Sequence, residues 1–356
     1  MKILVARLRL IGDVAFTTPL LRGLRHQFPD AHLTYLVEPA AAPIVRDNPH
    51  LDEVIVVPYE RGIRRIVSDL AVARALRRRR FDVAIDLHGG PRSAWLVRAS
   101  GASRRIGYAI KGRQWMYTDV VPRPADLAPR HCVTNQWDLL APLGVGPCDP
   151  ATYPMEMVED PAAATRVDQL LRDAGIGATH PLVVIHVSAG NPFRRWPAES
   201  FHDLVVQLAR RDPARRIVLT AGPSDAGAAQ RIAASARATL GPLAAAVPDL
   251  RELDLAELRA IVARAGVYIG GDSGPMHVAA TTRTPIVELL GPTLPERSRP
   301  WRDPHCFSVT IDAGALPCRP CNQRHCAPGD YRCLTGITAE RVADAAERAL
   351  AIEVHA

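Results

Sequence analysis

Aromatic residues make up only 5% of the 356 positions, too few for the stacking platforms that bind single-stranded nucleic acid. No apolar run approaches the roughly 18 residues a membrane-spanning helix needs. The opening MKILVARLRL is broken by Arg7 and Arg9 before a signal-peptide core can form. The expectation is therefore a cytoplasmic, unexported chain. Lysine is nearly missing, with Lys2 and Lys111 the only two, so arginine carries the positive charge. The first turn holds Gly12 alone, where a Rossmann dehydrogenase wants G-x-G-x-x-G. Helix-turn-helix signatures are also missing, which sets nucleic acid aside as a partner.

What remains is ordinary globular material: 47% hydrophobic and 23% charged residues, a balance that excludes a largely disordered chain. At roughly 150 residues per domain, the length implies two domains. The 44 Lys+Arg against 37 Asp+Glu leave a net +7, which suits phosphorylated small molecules or an anionic membrane surface.

Lys2–Leu8 reads as a strand that ends in a glycine-containing turn. Phe16, Leu20, Leu21 and Leu24 then recur at helical spacing. Further strands are expected at His32–Val37, Glu53–Val57 and Phe81–Leu87. Between the last two, Ile63, Ile66, Val67 and Leu70 share one face of a helix. Proline is frequent from Pro122 to Pro161, and the linker falls within residues 145–180. Strands restart at Leu182–Val187, Arg216–Thr220, Val267–Gly270 and Pro285–Leu290. Helices lie between them, and a last helix spans Ala339–Ala351. Alternating strands and helices mean parallel sheets. The expected fold is α/β, with two Rossmann-like domains (1–160 and 161–356) facing across a cleft and the C-terminal helix closing the chain.

Three segments carry candidate chemistry. In Gly270-Gly271-Asp272-Ser273-Gly274-Pro275-Met276-His277, a strand gives way to a proline-started helix whose free N–H groups and positive dipole end suit a diphosphate. A well-capped helix without ligand fits the same residues. Asp13 lies where the first strand meets a helix, as a general base or as that helix's N-cap. In His186–Pro197, a small-residue loop with Ser188 and Ala189 precedes Arg194, Arg195 and Trp196. Such a loop allows close approach of a phosphate, and arginine binds it bidentately; a solvated surface loop is the plainer reading.

Taken in order, Ile11-Gly12-Asp13-Val14 with Thr17-Thr18-Pro19, Arg194-Arg195-Trp196-Pro197, Asp272-Ser273-Gly274-Pro275-Met276-His277 and Gly291-Pro292-Thr293 resemble the ADP-heptose:lipopolysaccharide heptosyltransferase family. The resemblance implies a GT-B fold and an inverting glycosyltransferase that needs no metal for catalysis. It implies an N-terminal acceptor domain and a C-terminal nucleotide-sugar domain. It makes Asp13 the catalytic base; Gly12, Thr17 and Arg64 are the acceptor-side candidates. Ser188, Ala189, Arg194, Asp272, Ser273, Gly274 and His277 become donor residues, and Ser224 or Asp225 approaches the nucleoside. Family members usually carry lysine where this chain has Arg194. ADP-heptose is the favoured donor, and a lipid-linked or core oligosaccharide the acceptor. Another nucleotide-sugar, a protein acceptor, or a non-catalytic sugar-nucleotide binder are the alternatives.

Residues 61–80 hold eight arginines against the single acid Asp69. They read as a solvated helix face or as a dock for anionic headgroups, which would make the protein peripheral on the inner membrane. Cys318, Cys321, Cys326 and Cys333 cluster within 318–333, which fits reduced thiols packed in a loop, a structural zinc or iron, or disulfides.

Overall fold

The computed structural model describes residues 1–123, 129–177, 179–222, 225–321 and 325–352. The chain forms two compact units, Met1–Val158 with Trp301–Asp303, and Glu159–Pro300 with Pro304–Ala356. The three residues 301–303 thus belong with the first unit, although the sequence division put them in the second. The Trp301 indole N–H donates to the Tyr153 carbonyl at 2.8 Å, and its ring lies 4.7 Å from His131. A tryptophan held by distant partners leaves no local trace in sequence.

The first unit contains one parallel sheet. Its strands are β1 (Lys2–Ala6), β2 (His32–Val37), β3 (Glu53–Val56), β4 (Val83–Asp86), β5 (Arg104–Tyr108) and β6 (Asp119–Val121). Their spatial order is β3-β2-β1-β4-β5-β6. The central strands are apolar because helices cover both faces, and Ile3, Leu4, Val5, Ala84 and Ile85 are fully buried. β5 and β6 escaped the sequence reading because charged residues interrupt them. The Arg104 guanidinium meets the Asp119 carboxylate at 2.9 Å, so the two strands neutralise each other's charge.

The second unit's sheet consists of β7 (Leu182–His186), β8 (Arg216–Thr220), β9 (Val267–Gly271), β10 (Ile286–Leu290) and β11 (Ser308–Asp312). They are ordered β8-β7-β9-β10-β11. β11 was also missed, being a short edge strand with a polar rim. The last helix, Ala339–Leu350, starts where the Thr338 side chain accepts from the Arg341 N–H. It packs Val342, Ala343, Ala345, Ala346 and Ala349 into the second core.

Two helices differ from expectation. The helix after β1 is broken into Ile11–Ala15 and Thr18–Gln27. Pro19 has no N–H to give and crowds the preceding turn, while the Thr17 hydroxyl donates to the Val14 carbonyl. The second is the helix Gly62–Arg79, whose buried residues are Ala73 and Leu76. The stripe that shares one face of this helix points to water: Ile63 is 79%, Ile66 60%, Val67 63% and Leu70 41% exposed. Asp69, beside the stripe on the inward side, fastens the helix through a 2.6 Å ion pair with Arg92.

Candidate active site

In an open parallel sheet, ligands gather beyond the carboxyl ends of the strands where the connections diverge to opposite sides. In the first unit that point lies between β1 and β4. The residues after β1 bring Arg7, Arg9 and Asp13; the end of β4 brings Asp86, and the turn after it His88. Arg7 spans both, with one guanidinium nitrogen donating to the Leu87 carbonyl at 2.5 Å and another meeting Asp13 Oδ2 at 2.5 Å.

Asp13 lies inside the short helix Ile11–Ala15, whose N-cap is Leu10. The capping alternative therefore fails, and the carboxylate is left for other work. Its ion pair with Arg7 is a partner the spacing did not reveal, yet the side chain keeps 30% exposure. Gly12 occupies the second position of that helix. Thr17 contradicts its acceptor-side assignment: it is fully buried, with its hydroxyl held by Val14 and by the Tyr35 hydroxyl at 2.7 Å. It shapes the turn and does not face a ligand.

Asp86 is buried and accepts from the N–H groups of His88 and Gly89 and from the Ser93 and Tyr117 hydroxyls. Burial nevertheless pushes its carboxyl up. His88 is driven down to about 4 by burial and then by Arg7 and Arg9, so it presents a neutral imidazole at pH 7. A cavity of about 260 Å³ opens there, lined by Arg9, Tyr59, Arg61, Arg65, His88 and Arg92 among others. Arg92 is spent on Glu38 and Asp69. Arg64 is not on this cavity; its neighbours Arg61 and Arg65 are. The Asp86-Leu87-His88-Gly89-Gly90-Pro91 run, a strand ending in a polar, glycine-rich turn, is the sequence signal that would have exposed this part of the site.

In the second unit the divergence falls between β7 and β9, and the loops after these strands supply the donor candidates. Ser188 shares its hydroxyl between His186 Nε2 at 2.9 Å and the Gly222 N–H at 2.9 Å. His186 also bonds Thr220 at 3.0 Å, and burial lowers it to about 4. Ala189 is buried, and its carbonyl accepts from Arg195 at 3.1 Å.

Asp272 is the hub. Arg194 reaches its Oδ2 at 3.2 Å, Thr293 donates to the same oxygen at 2.8 Å, and His277 Nε2 lies 3.7 Å from Oδ1. Burial pulls its carboxyl up, but His277, Arg194 and Thr293 together hold it below the usual carboxylate range. Ser273 is the N-cap of the helix Gly274–Ala279, and no side chain caps that helix. Its own hydroxyl is buried with no partner among the described residues, a costly arrangement for a group with no ligand to meet.

The nucleoside-side candidates fare differently. Ser224 lies outside the described residues. Asp225 is buried and ion-paired to Arg195 at 2.8 Å, and it does not line the neighbouring cavity. That cavity, about 110 Å³, sits at the end of β8 between Thr220, Ala221, Ala229, Ala233 and the stretch Asp249–Leu253.

The sequence reading also missed Glu288, on β10. It is fully buried, accepts from the Thr310 hydroxyl at 2.7 Å, and is pushed up to about 8 by burial and then by the Asp272 charge. Its folded pKa exceeds the unfolded value near 4.5, so between these limits the unfolded chain binds fewer protons and stability falls as pH rises. Complete expression of the shift is worth ~5 kcal/mol at ~1.4 kcal/mol per unit. Glu288→Gln should flatten the decline in melting temperature between pH 5 and 8. An unchanged pH profile would show that the folded protein keeps Glu288 ionised.

The cysteine loop gathers Cys318, Cys321, Cys326 and Cys333 around a cavity of about 170 Å³ with His325 and Tyr331. All are free thiols, and burial, then Cys318 and Cys326, push Cys333 up. Among the described residues no three His, Cys, Asp or Glu side chains are placed to hold a metal ion. The described residues therefore do not confirm the structural zinc or iron that the spacing left open.

Two parallel α/β units in one chain, each with polar side chains collected at its strand ends, make the GT-B class of fold. The model of glycosyltransferase family 9 (heptosyltransferase) matches residues 70–331; the chain belongs to that family and is a glycosyltransferase. It is 29% identical over 303 residues to the lipopolysaccharide heptosyltransferase 3 of Escherichia coli, covering 83% of this chain and 84% of that one. Among solved structures, a family 9 glycosyl transferase from Veillonella parvula superposes with a TM-score of 0.80 at 24% identity, covering 98% and 97% of the two chains. The E. coli ADP-heptose lipopolysaccharide heptosyltransferase II superposes with a TM-score of 0.77 at 22% identity over 98% of each.

Proposed function

We propose that the protein transfers a heptose from ADP-heptose to a hydroxyl of the lipopolysaccharide core, inverting the anomeric centre. The observation that carries this reading is the buried Ser273 hydroxyl, without a partner among the described residues, at an uncapped helix start next to Asp272, which Arg194 pairs. A diphosphate would satisfy that hydroxyl and the helix N–H groups while Arg194 met its charge. His277 keeps Asp272 ionised beneath it, and Asp272 holds Arg194 in place.

The acceptor belongs to the first unit. Arg7 fixes the Asp13 carboxylate, whose exposed side takes the proton of the attacking hydroxyl. As that oxygen bonds to the anomeric carbon from the face opposite the diphosphate, the C–O bond to the diphosphate breaks and negative charge grows on the leaving group. Arg194 and the Ser273 helix start stabilise that charge, each donor contributing on the order of 3 kcal/mol. No step is assigned to a metal, and the cysteine loop is given no catalytic part. A lipid-linked acceptor implies a cytoplasmic enzyme working at the face of the inner membrane. Among the described residues no helix is long and apolar enough to cross a membrane.

A thermal-shift screen of the intact protein against ADP-, UDP- and GDP-sugars tests the donor. ADP-heptose at 100 times its Kd should stabilise by ~2.7 kcal/mol. A larger shift from a UDP- or GDP-sugar would replace the assigned base.

A further inference from the structure

We propose that the exposed stripe of the helix Gly62–Arg79 is a membrane-insertion surface for an anionic bilayer. The inference rests on the proposed acceptor only for where the substrate lies; the surface itself is read from the first unit. Ile63, Ile66, Val67 and Leu70 recur at i, i+3, i+4 and i+7, the spacing of one helical stripe. All four are exposed. The inward side of the helix adjoins the stripe: Ala73, at i+7 from Ile66, and Leu76 enter the core, and Asp69 pairs with Arg92. The protein covers Ala73 and Leu76 and leaves the four bulky residues of the stripe bare.

The charge beside the bare stripe matches a negatively charged surface. Arg61, Arg64, Arg74, Arg77, Arg78 and Arg80 are all exposed, and none is within ion-pair distance of a carboxylate among the described residues. Arg74, Arg77 and Arg78 continue the line of the apolar stripe along the second half of the helix, at i+4, i+7 and i+8 from Leu70. A helix with bulky apolar residues at one end and arginines along the same line lies in the plane of the headgroups, with its side chains entering the acyl boundary. Arginine stems also bury alongside apolar groups while their heads stay wet. Tyr59, 58% exposed just before the helix, adds a residue type that favours the membrane–water interface.

Co-sedimentation of the full chain with phosphatidylglycerol/phosphatidylcholine vesicles tests this, with pure phosphatidylcholine as control. Wild type should partition onto the anionic vesicles at least tenfold better than onto neutral ones. Ile63→Ser/Ile66→Ser/Val67→Ser should reduce partitioning tenfold or more at every salt concentration. Arg74→Gln/Arg78→Gln should abolish mainly the salt-sensitive part. Both variants should keep wild-type melting curves and turn over a delipidated, water-soluble acceptor at the wild-type rate, so loss of vesicle binding is separable from failure of the assigned chemistry. Undiminished vesicle binding by the triple serine variant would overturn the proposal. So would a wild-type homodimer, seen by sedimentation velocity, that this variant dissociates, because the stripe would then be a contact between copies.

Discussion

Asp13→Asn is expected to lower kcat by a factor of about 100 to 10,000, the span that a positioned general base contributes, while the affinity for ADP stays within twofold of wild type. The substitution preserves size and leaves the second unit untouched, so a selective loss of turnover isolates proton removal. Arg7 sharpens the test. Its guanidinium is 2.5 Å from Asp13 and is anchored on the Leu87 carbonyl, so it fixes the carboxylate without closing it off. Arg7→Met should also slow turnover, but by less than Asp13→Asn, because an unfixed carboxylate still accepts a proton. Turnover by Asp13→Asn within tenfold of wild type would remove Asp13 from the role and move attention to His88, whose neutral imidazole lies in the same polar group.

Much of the architecture was legible because buried parallel strands are short apolar runs. His32–Val37 and Arg216–Thr220 match their sequence assignments residue for residue. The losses have a common cause: periodicity reports that a residue set shares a face, not what the face meets. Ile63, Ile66, Val67 and Leu70 do share a face of the helix, but Ala73 and Leu76 make the contacts with the core. Thr17 shows the converse. It sits in a motif-like Thr-Thr-Pro run, yet its hydroxyl is consumed by Val14 and Tyr35. For the site, motif order picked out Asp13, Arg194, Asp272 and Ser273. It did not reveal Arg7, His88 or Glu288, nor the bond from Thr293 to Asp272, because these parts depend on neighbours brought from other strands.

Arg194 carries the second large effect. Arg194→Ala should reduce kcat/KM by about 100-fold, the cost of losing one transition-state donor at a developing anion. The loss has two sources. A cation facing the diphosphate disappears, and the Asp272 carboxylate, 9% exposed and now held only by His277 and Thr293, turns its uncompensated charge toward the ligand. Arg194→Lys should stay within about fivefold of wild type, since the resemblance puts lysine here in most relatives and a point cation still offsets Asp272; the shortfall would measure the lost bidentate contact. Arg194→Ala/Asp272→Asn should then recover part of the donor affinity of Arg194→Ala without recovering kcat, because it removes the repulsion and supplies no stabilising charge. If Arg194→Ala turns over within tenfold of wild type, the diphosphate is held elsewhere, and the loop after β7 is a surface loop after all.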